Sequence, residues 1–372
     1  MNKFFFFAAA ALTLCVASCD NNDDPKEPEI CPPADTKELL YVVNAGNWNF
    51  SNASITGYDP ELKLAYNNLF YEANEFKLGD TAQSASIHGA QCWIVVNNSN
   101  VIFGVDADNF KETGRIDKGL ISPRYIHFVD NDKAYVSQMY SDSIVVVDYK
   151  HYRVTGRIGV PAQAESMSDG STEEFVQVGS YVYCNQWNYG NRILKIDTKT
   201  DKVVGSISTG IQPYSIVKDK NGMIWCLCDG GGWADNPVGY EAPSLLCIDP
   251  EAMSVVKTFT MELGDVVSKL CVSGDGETLY WIMNRYDETG KNTGGVFSMA
   301  VDESSLPGVP TVASADKSFY SITISPAEEN IYVADPLDYV QAGIVYVYSK
   351  DGVAIGSFKA GIIPTAYAWR IR

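Results

Sequence analysis

Histidine is nearly missing from this chain: three in 372 residues, at positions 88, 127 and 151. Chemistry built on a metal and imidazole acid–base groups therefore has little to work with. Positive charge is also scarce. Lys and Arg number 28 against 46 Asp and Glu, leaving a net −18, which excludes nucleic acid as a partner because phosphate neutralisation needs a basic surface. There is no apolar run of the roughly 20 residues that span a bilayer; the longest, "FFFFAAAALTLCVAS", sits at the N-terminus. A sustained helical period is absent too. The tightest cysteine pair, "CLC" at 226–228, lacks zinc-knuckle spacing, and neither "DPLDY" nor "YDETGKNTGG" matches an EF-hand loop. The expectation is a protein without a metal or resident cofactor, and not an enzyme.

What is present begins with an address. "MNKFFFFAAAALTLCVASC" has one Lys, an apolar run and small residues before Cys19, which reads as a signal peptide over residues 1–18. "VASC" resembles a lipobox, so Cys19 is the expected lipidation site. "DNNDDPKEPEICPPADTKE" follows and reads as an acidic, Pro-rich tether over residues 19–37. An acidic stretch after such a Cys resembles the export signal of surface-exposed lipoproteins in certain Gram-negative bacteria. The expected location is the outer membrane, at the cell surface, with the membrane touched through the lipid anchor only. Removing Cys15 and lipidating Cys19 leaves an odd set of cysteines, so at least one stays unpaired. Cys226 and Cys228 face one side of a strand; either one of them pairs with Cys247 on the next strand, or all are buried free thiols.

Residues 38–372 carry a repeat. "RYIHFV", "KAYVSQ", "SIVVVD" and "RVTGRI" are four strand-like runs, and the set returns as "FVQVG", "SYVYCN", "RILKID", "KVVGSI" and again as "PYSIV", "MIWCLC", "SLLCID", "SVVKTF". The third run ends in Asp at 59, 106, 148, 197, 249 and 302, with Tyr348 in the seventh place, a spacing of about 50 residues that fits one propeller blade per repeat. The fold expected is all-β, a seven-bladed propeller. The first repeat lacks an inner strand, and "IIPTAYAWRIR" at the C-terminus can supply it and close the ring, leaving only short protected edges. "KGLISPRY", "TGIQPYS" and "AGIIPTA" place Gly, then Pro, before an inner strand, with Gly allowing the sharp turn between blades and Pro fitting a strand's first residue.

Connections of one type gather on one face of a propeller. The loops between second and third strands read "NAGNWNFSN", "NNSN", "SQMYSDS", "NQWNYGN", "DGGGWADNPVGYEAP", "MNRYDETGKNTGG" and "DPLDYVQAG". Six of these carry an aromatic and all carry Asn, Asp or Gln. With the lead-in turns of the inner strands they give the ligand-binding candidates Trp48, Asn98, Arg124, Tyr125, Tyr140, Gln186, Trp187, Tyr189, Tyr214, Trp233, Arg285, Tyr286, Tyr320, Tyr339 and Tyr367. Aromatics joined by amide side chains suit a bulky ligand with apolar faces and hydrogen-bonding edges. Trp187 sits in a loop that adds little to a blade core, so its removal is expected to spare folding. His88 and His127 lie on neighbouring inner strands and read as packed residues; His151 falls in a turn between outer strands.

The repeat, best seen in "TGIQPYSIVKDKNGMIWCLCD", resembles the seven-bladed YVTN (YncE-like) propellers over nearly all of residues 38–372. Together with the signal, the lipobox and the aromatic–amide face, it is similar to the surface lipoproteins that capture cobalamin (the BtuG family). That resemblance implies cobalamin or a related corrinoid as ligand and a TonB-dependent outer-membrane transporter as partner. The competing readings are a glycan-binding or surface-layer propeller and, further off, a lactonase- or lyase-type enzyme.

Overall fold

The computed structural model describes residues 36–162 and 171–372; the signal peptide, Cys15, Cys19, Cys31 and nearly all of the tether lie outside them. Seven four-stranded antiparallel sheets form a ring. Blade 1 runs from its inner strand Pro364–Ile371 through Glu38–Asn44 and Ser54–Asp59 to Leu64–Tyr66. The inner strands of blades 2 to 7 are Ala82–His88, Pro123–Phe128, Phe175–Val178, Pro213–Lys218, Val266–Val272 and Ser321–Ile324. The ring therefore closes as the sequence suggests: the last strand pairs antiparallel with the first, Leu40 opposite Trp369 and Val42 opposite Tyr367. Arg370 and Arg372 reach across to Asp108 in blade 2, and the Thr36 hydroxyl docks on Asp59 at 2.7 Å.

The second strand of each blade is buried on both faces, which is why "QCWIVV" and "IWCLC" read as unbroken apolar runs. Alternation then divides each strand between two inter-blade cores. Trp225 and Leu227 pack toward blade 6, while Ile224, Cys226 and Cys228 pack toward blade 4. This settles the cysteines. Trp225 lies opposite Cys247 and Cys226 opposite Leu246, so Cys247 points to the other face of the sheet from Cys226 and Cys228. The six described cysteines are free thiols, and the disulfide alternative fails on strand register.

The recurrent Asp is a turn device. Oδ1 of Asp59 accepts from the backbone N–H groups of Glu61 and Leu62; Asp106 and Asp249 do the same for the residues two and three places on. The short carboxylate substitutes for a backbone acceptor and fixes the hairpin to the outer strand. The Gly-then-Pro punctuation is only partly as read. Pro123, Pro213 and Pro364 open their strands. Gly119 is left-handed as expected, at φ 77°, but Gly210 and Gly361 are not, and in all three the residue before the Pro is: Ser122, Gln212 and Ile363, at φ 42°, 53° and 55°. Gly361 does not supply the turn; a Cβ there would meet the Ser54 hydroxyl at 2.5 Å and the Asn44 amide at 2.7 Å, so it is required for close approach.

Candidate functional site

The seven loops between second and third strands gather on one face and are stitched to one another around it. Asn47 Nδ2 donates to the Tyr339 carbonyl at 2.6 Å, joining blades 1 and 7. Asn98 Nδ2 reaches Asn49 and Asp80. The Trp187 indole N–H donates to Asp229 at 2.9 Å, joining blades 4 and 5. On this framework the sequence-predicted residues separate into two groups at different depths.

The outer group is a rim. Trp48, Tyr140, Trp233, Tyr286 and Tyr339 are exposed, Trp48 and Tyr286 at 58%. Phe50, at 70% exposure, belongs with them and was missed, although it stands two residues from Trp48 in the same loop. Exposed aromatics on five of seven loops are unlike the scattered apolar side chains of an ordinary surface. Backbone conformation strengthens the point. Tyr140, Tyr189 and Tyr339 adopt left-handed φ values of 59°, 61° and 62°, a region that Gly or Asn enters readily and that costs a bulky L-residue about 1–2 kcal/mol. Blade 2 has Asn100 in the left-handed region of its corresponding loop, so three blades carry tyrosine where a better turn residue exists.

Trp187 and Tyr189 are half-buried and belong to both rim and framework. Trp187 packs edge-on against Tyr214, and Tyr189 against Trp233. Asp229, which receives the indole N–H, also accepts from Gln212 and from the backbone of Gly231, while Asn236 donates to Gln212 at 3.0 Å. The long blade 5 loop hangs from this network, so Trp187 does contribute to folding, against the expectation from its loop position. Gln186 does not reach the face: it is fully buried at the end of its strand with Nε2 on the Pro161 carbonyl. Asn98 is half-buried. Arg285 is at the rim but committed to Asp265 through paired hydrogen bonds at 2.7 and 2.6 Å.

The inner group lines the throat of the axial channel. Arg124, Tyr125, Tyr214 and Tyr367 belong here, raised on inner strands, together with Tyr320, the residue just before the blade 7 inner strand. Bulges set Arg124, Tyr125 and Tyr214, and a third stands in blade 6: register slips fall between Pro123 and Ile126, between Pro213 and Ser215, and between Ser268 and Leu270, and an extra residue in a strand re-aims its side chain. The third of these bulges presents Lys269, which sequence reasoning missed, as it missed Glu173 and Glu174. Arg124 Nε bonds both oxygens of Glu173 at 2.9 Å and its Nη1 bonds Gln83 at 2.7 Å. Burial raises the Glu173 carboxyl pKa, opposed by the Arg124 charge. Burial likewise raises Glu174, opposed by Lys269 and by hydrogen bonds from the Ser215 hydroxyl and the Ile216 N–H. The two histidines expected to be packed are so: His88 stacks on Phe128 at 4.0 Å and bonds Tyr149, and His127 bonds Gln177 at 2.9 Å. Among the described residues no cluster of three or more His, Cys, Asp or Glu is arranged to hold a metal.

Residues 39–335 match the family model described as Domain of unknown function (DUF5074). No curated protein matches the sequence. Solved structures that resemble it include a quinonprotein alcohol dehydrogenase-like protein from Bacteroides thetaiotaomicron VPI-5482, at 15% identity and TM-score 0.64, over 89% of this chain and 78% of that one. A Bacteroides fragilis NCTC 9343 protein carrying a proposed 6-phosphogluconolactonase assignment aligns at 13% identity and TM-score 0.60, over 91% and 99%. Hydrazine synthase of Kuenenia stuttgartiensis aligns at 17% identity and TM-score 0.54, over 73% and 77%. At such identities these likenesses establish the fold alone.

Proposed function

We propose that this chain, which belongs to the DUF5074 family, is a non-catalytic capture protein that holds a bulky small molecule on the aromatic rim of its propeller. The observation that carries this reading is the rim itself: exposed Trp and Tyr side chains on most of the loops of one face, two of the exposed tyrosines, Tyr140 and Tyr339, and the half-buried Tyr189 held in left-handed backbone. Strain kept at exposed aromatics is poorly explained by folding and is the usual mark of a site. Large apolar faces ringed by Asn and Gln suit a ligand that is broad, largely uncharged and rich in amide edges. Cobalamin or a related corrinoid is the reading that fits best. The signal, the lipobox at Cys19 and its acidic successor support a surface lipoprotein of the outer membrane that hands its ligand to a TonB-dependent transporter.

The packed state of His88 and His127 supports capture over catalysis. The exposed indoles of Trp48 and Trp233 favour one second reading, stacking on sugar rings of a glycan. Mixing the purified protein with cyanocobalamin and passing it over a sizing column tests the first: a coloured band should co-elute with the protein. A colourless protein peak, with retention on a glycan array, would replace it with the second. Protease shaving of intact cells, with Cys19→Ala as control, tests the location; a wild-type protein resistant to shaving at normal expression would contradict surface exposure.

A further inference from the structure

Below the rim, the throat holds two opposite charges that do not meet. Among the described residues the Lys269 ammonium makes no ion pair or hydrogen bond. It sits 5.7 Å from the centre of the Tyr214 ring, and its electrostatic neighbours are Tyr125, Glu174, Tyr320 and Arg124. Glu174 uses one carboxylate oxygen, Oε2, for Ser215 and Ile216; its other oxygen is unoccupied by any described donor. The hydroxyls of Tyr125, Tyr214 and Tyr320 likewise donate to no described group. By contrast Arg124 and Glu173 satisfy each other, so they add no net charge. Leaving a charge in an enclosed channel without a partner is costly; here the cation has no hydrogen-bond acceptor among the described residues and the anion keeps one oxygen free. Lys269 is held in this position by left-handed backbone at φ 51°, a conformation that a β-carbon disfavours.

Between them lies a cavity of about 160 Å³, lined by Ser84, Tyr125, Glu174, Lys269, Thr365 and Tyr367 among others. At about 30 Å³ per water it has room for about five water-sized groups, enough for a small polar arm and too little for a multi-ring ligand. A group that fits must accept from an ammonium and donate to a carboxylate at once, and must carry no net charge, since the two charged side chains that line it, Lys269 and Glu174, cancel. An ionised carboxylate fails the second condition, because it would face Glu174. An amine fails the first.

We propose that the throat is a socket for a primary carboxamide, its oxygen accepting from Lys269 and the Tyr125 hydroxyl and its NH2 donating to Glu174, and that the carboxamide is an arm of the molecule held on the rim. The ownership of the arm rests on the capture reading; the socket does not. Burial works against the Lys269 ammonium, yet Tyr125, Glu174 and Tyr320 raise its pKa on balance; burial raises the Glu174 carboxyl, opposed by Lys269, Ser215 and the Ile216 N–H.

Two titrations decide it, each on the wild-type protein, Lys269→Met and Glu174→Gln, with thermal melts to confirm folding and Tyr214→Phe as a variant that alters no charge. The first uses propionamide, with propionate as the charged isostere, read by saturation-transfer NMR. Saturable propionamide binding is expected, weakened about tenfold or more in Lys269→Met and Glu174→Gln, as loss of a hydrogen bond to a charged group implies, with propionate at least tenfold weaker in the wild type. The second uses cyanocobalamin, whose affinity should fall by a similar factor in the same variants. Absence of saturable propionamide binding, or equal binding of propionate, overturns the socket. Propionamide binding without cyanocobalamin binding keeps the socket and overturns the capture reading. Cyanocobalamin binding indifferent to Lys269 and Glu174 keeps capture and overturns the arm.

Discussion

The rim and the throat share one axis but follow opposite rules. Rim residues sit on loops, expose their rings, and pay in backbone strain at Tyr140, Tyr189 and Tyr339. Throat residues sit on the inner strands or their lead-ins, Arg124 and Lys269 at bulges and Glu173 and Glu174 just before the blade 4 inner strand; they are largely buried and carry their cost as desolvated charge. A rim side chain can therefore be removed with little consequence for the blade beneath it. A throat side chain cannot, because its partner stays behind in a low-dielectric enclosure. Binding and folding are thus separable at the rim and entangled in the throat.

Breaking the throat should give the largest effect. Arg124→Ala strands Glu173 and should destabilise the protein by about 3–5 kcal/mol in denaturant melts, the range for removing one member of a buried pair. The double variant Arg124→Met with Glu173→Gln should recover much of that loss. A stability change within 0.5 kcal/mol, the range of a surface substitution, would mean the pair is solvated and the distinction between regions is false.

Trp187 lies at the boundary and should behave as both. Trp187→Phe keeps a ring against Tyr214 but removes the donor to Asp229, whose carboxyl is already raised by burial. A loss of about 1–3 kcal/mol in stability is expected, the cost of leaving a buried acceptor short of a donor. An unchanged melt would return Trp187 to the rim alone.

At the rim the sign reverses. Tyr140→Asn replaces a strained aromatic with a residue that enters left-handed backbone easily, so stability should hold or rise by up to about 1 kcal/mol, while ligand affinity falls. A lower melting point would show that Tyr140 is structural.

The smallest effect is in pH dependence. Glu174 has a folded pKa above its ordinary 4.5, so the folded state holds more protons than the unfolded one between those values. Stability then falls as pH rises through that window. Glu174→Gln removes this proton and should flatten the decline relative to wild type in melts taken from pH 4.5 upward. A steeper decline in the variant would contradict the assignment.

How much of this was legible follows the same division. Strand count, closure by the C-terminal segment and the rim were readable because period-2 apolar runs, recurrent Asp and loop aromatics are local signals. Phe50 carries the same local signal as Trp48, an aromatic in the same loop. The throat was half-read: Arg124, Tyr125 and Tyr214 follow visible Pro-marked turns. Glu173, Glu174 and Lys269 carry no such mark; a Lys in "VVSKLCV" reads as a solvated strand residue until a bulge turns it inward. Cysteine pairing stayed open in the sequence because it depends on cross-strand register, which placed Cys247 on the far face. Gln186 was misjudged for a related reason: the last residue of a second strand still alternates, and its side chain points into the core.

Calorimetric titration of the wild-type protein and of Trp233→Ala with cyanocobalamin, paired with thermal melts of both, bears most directly on capture at the rim. The account predicts one-to-one binding by the wild type, a loss of about 2 kcal/mol or more in Trp233→Ala, as for a buried anchor of an interface, and superimposable melts. No heat of binding at micromolar protein, or an affinity unchanged by removing Trp233, would contradict it.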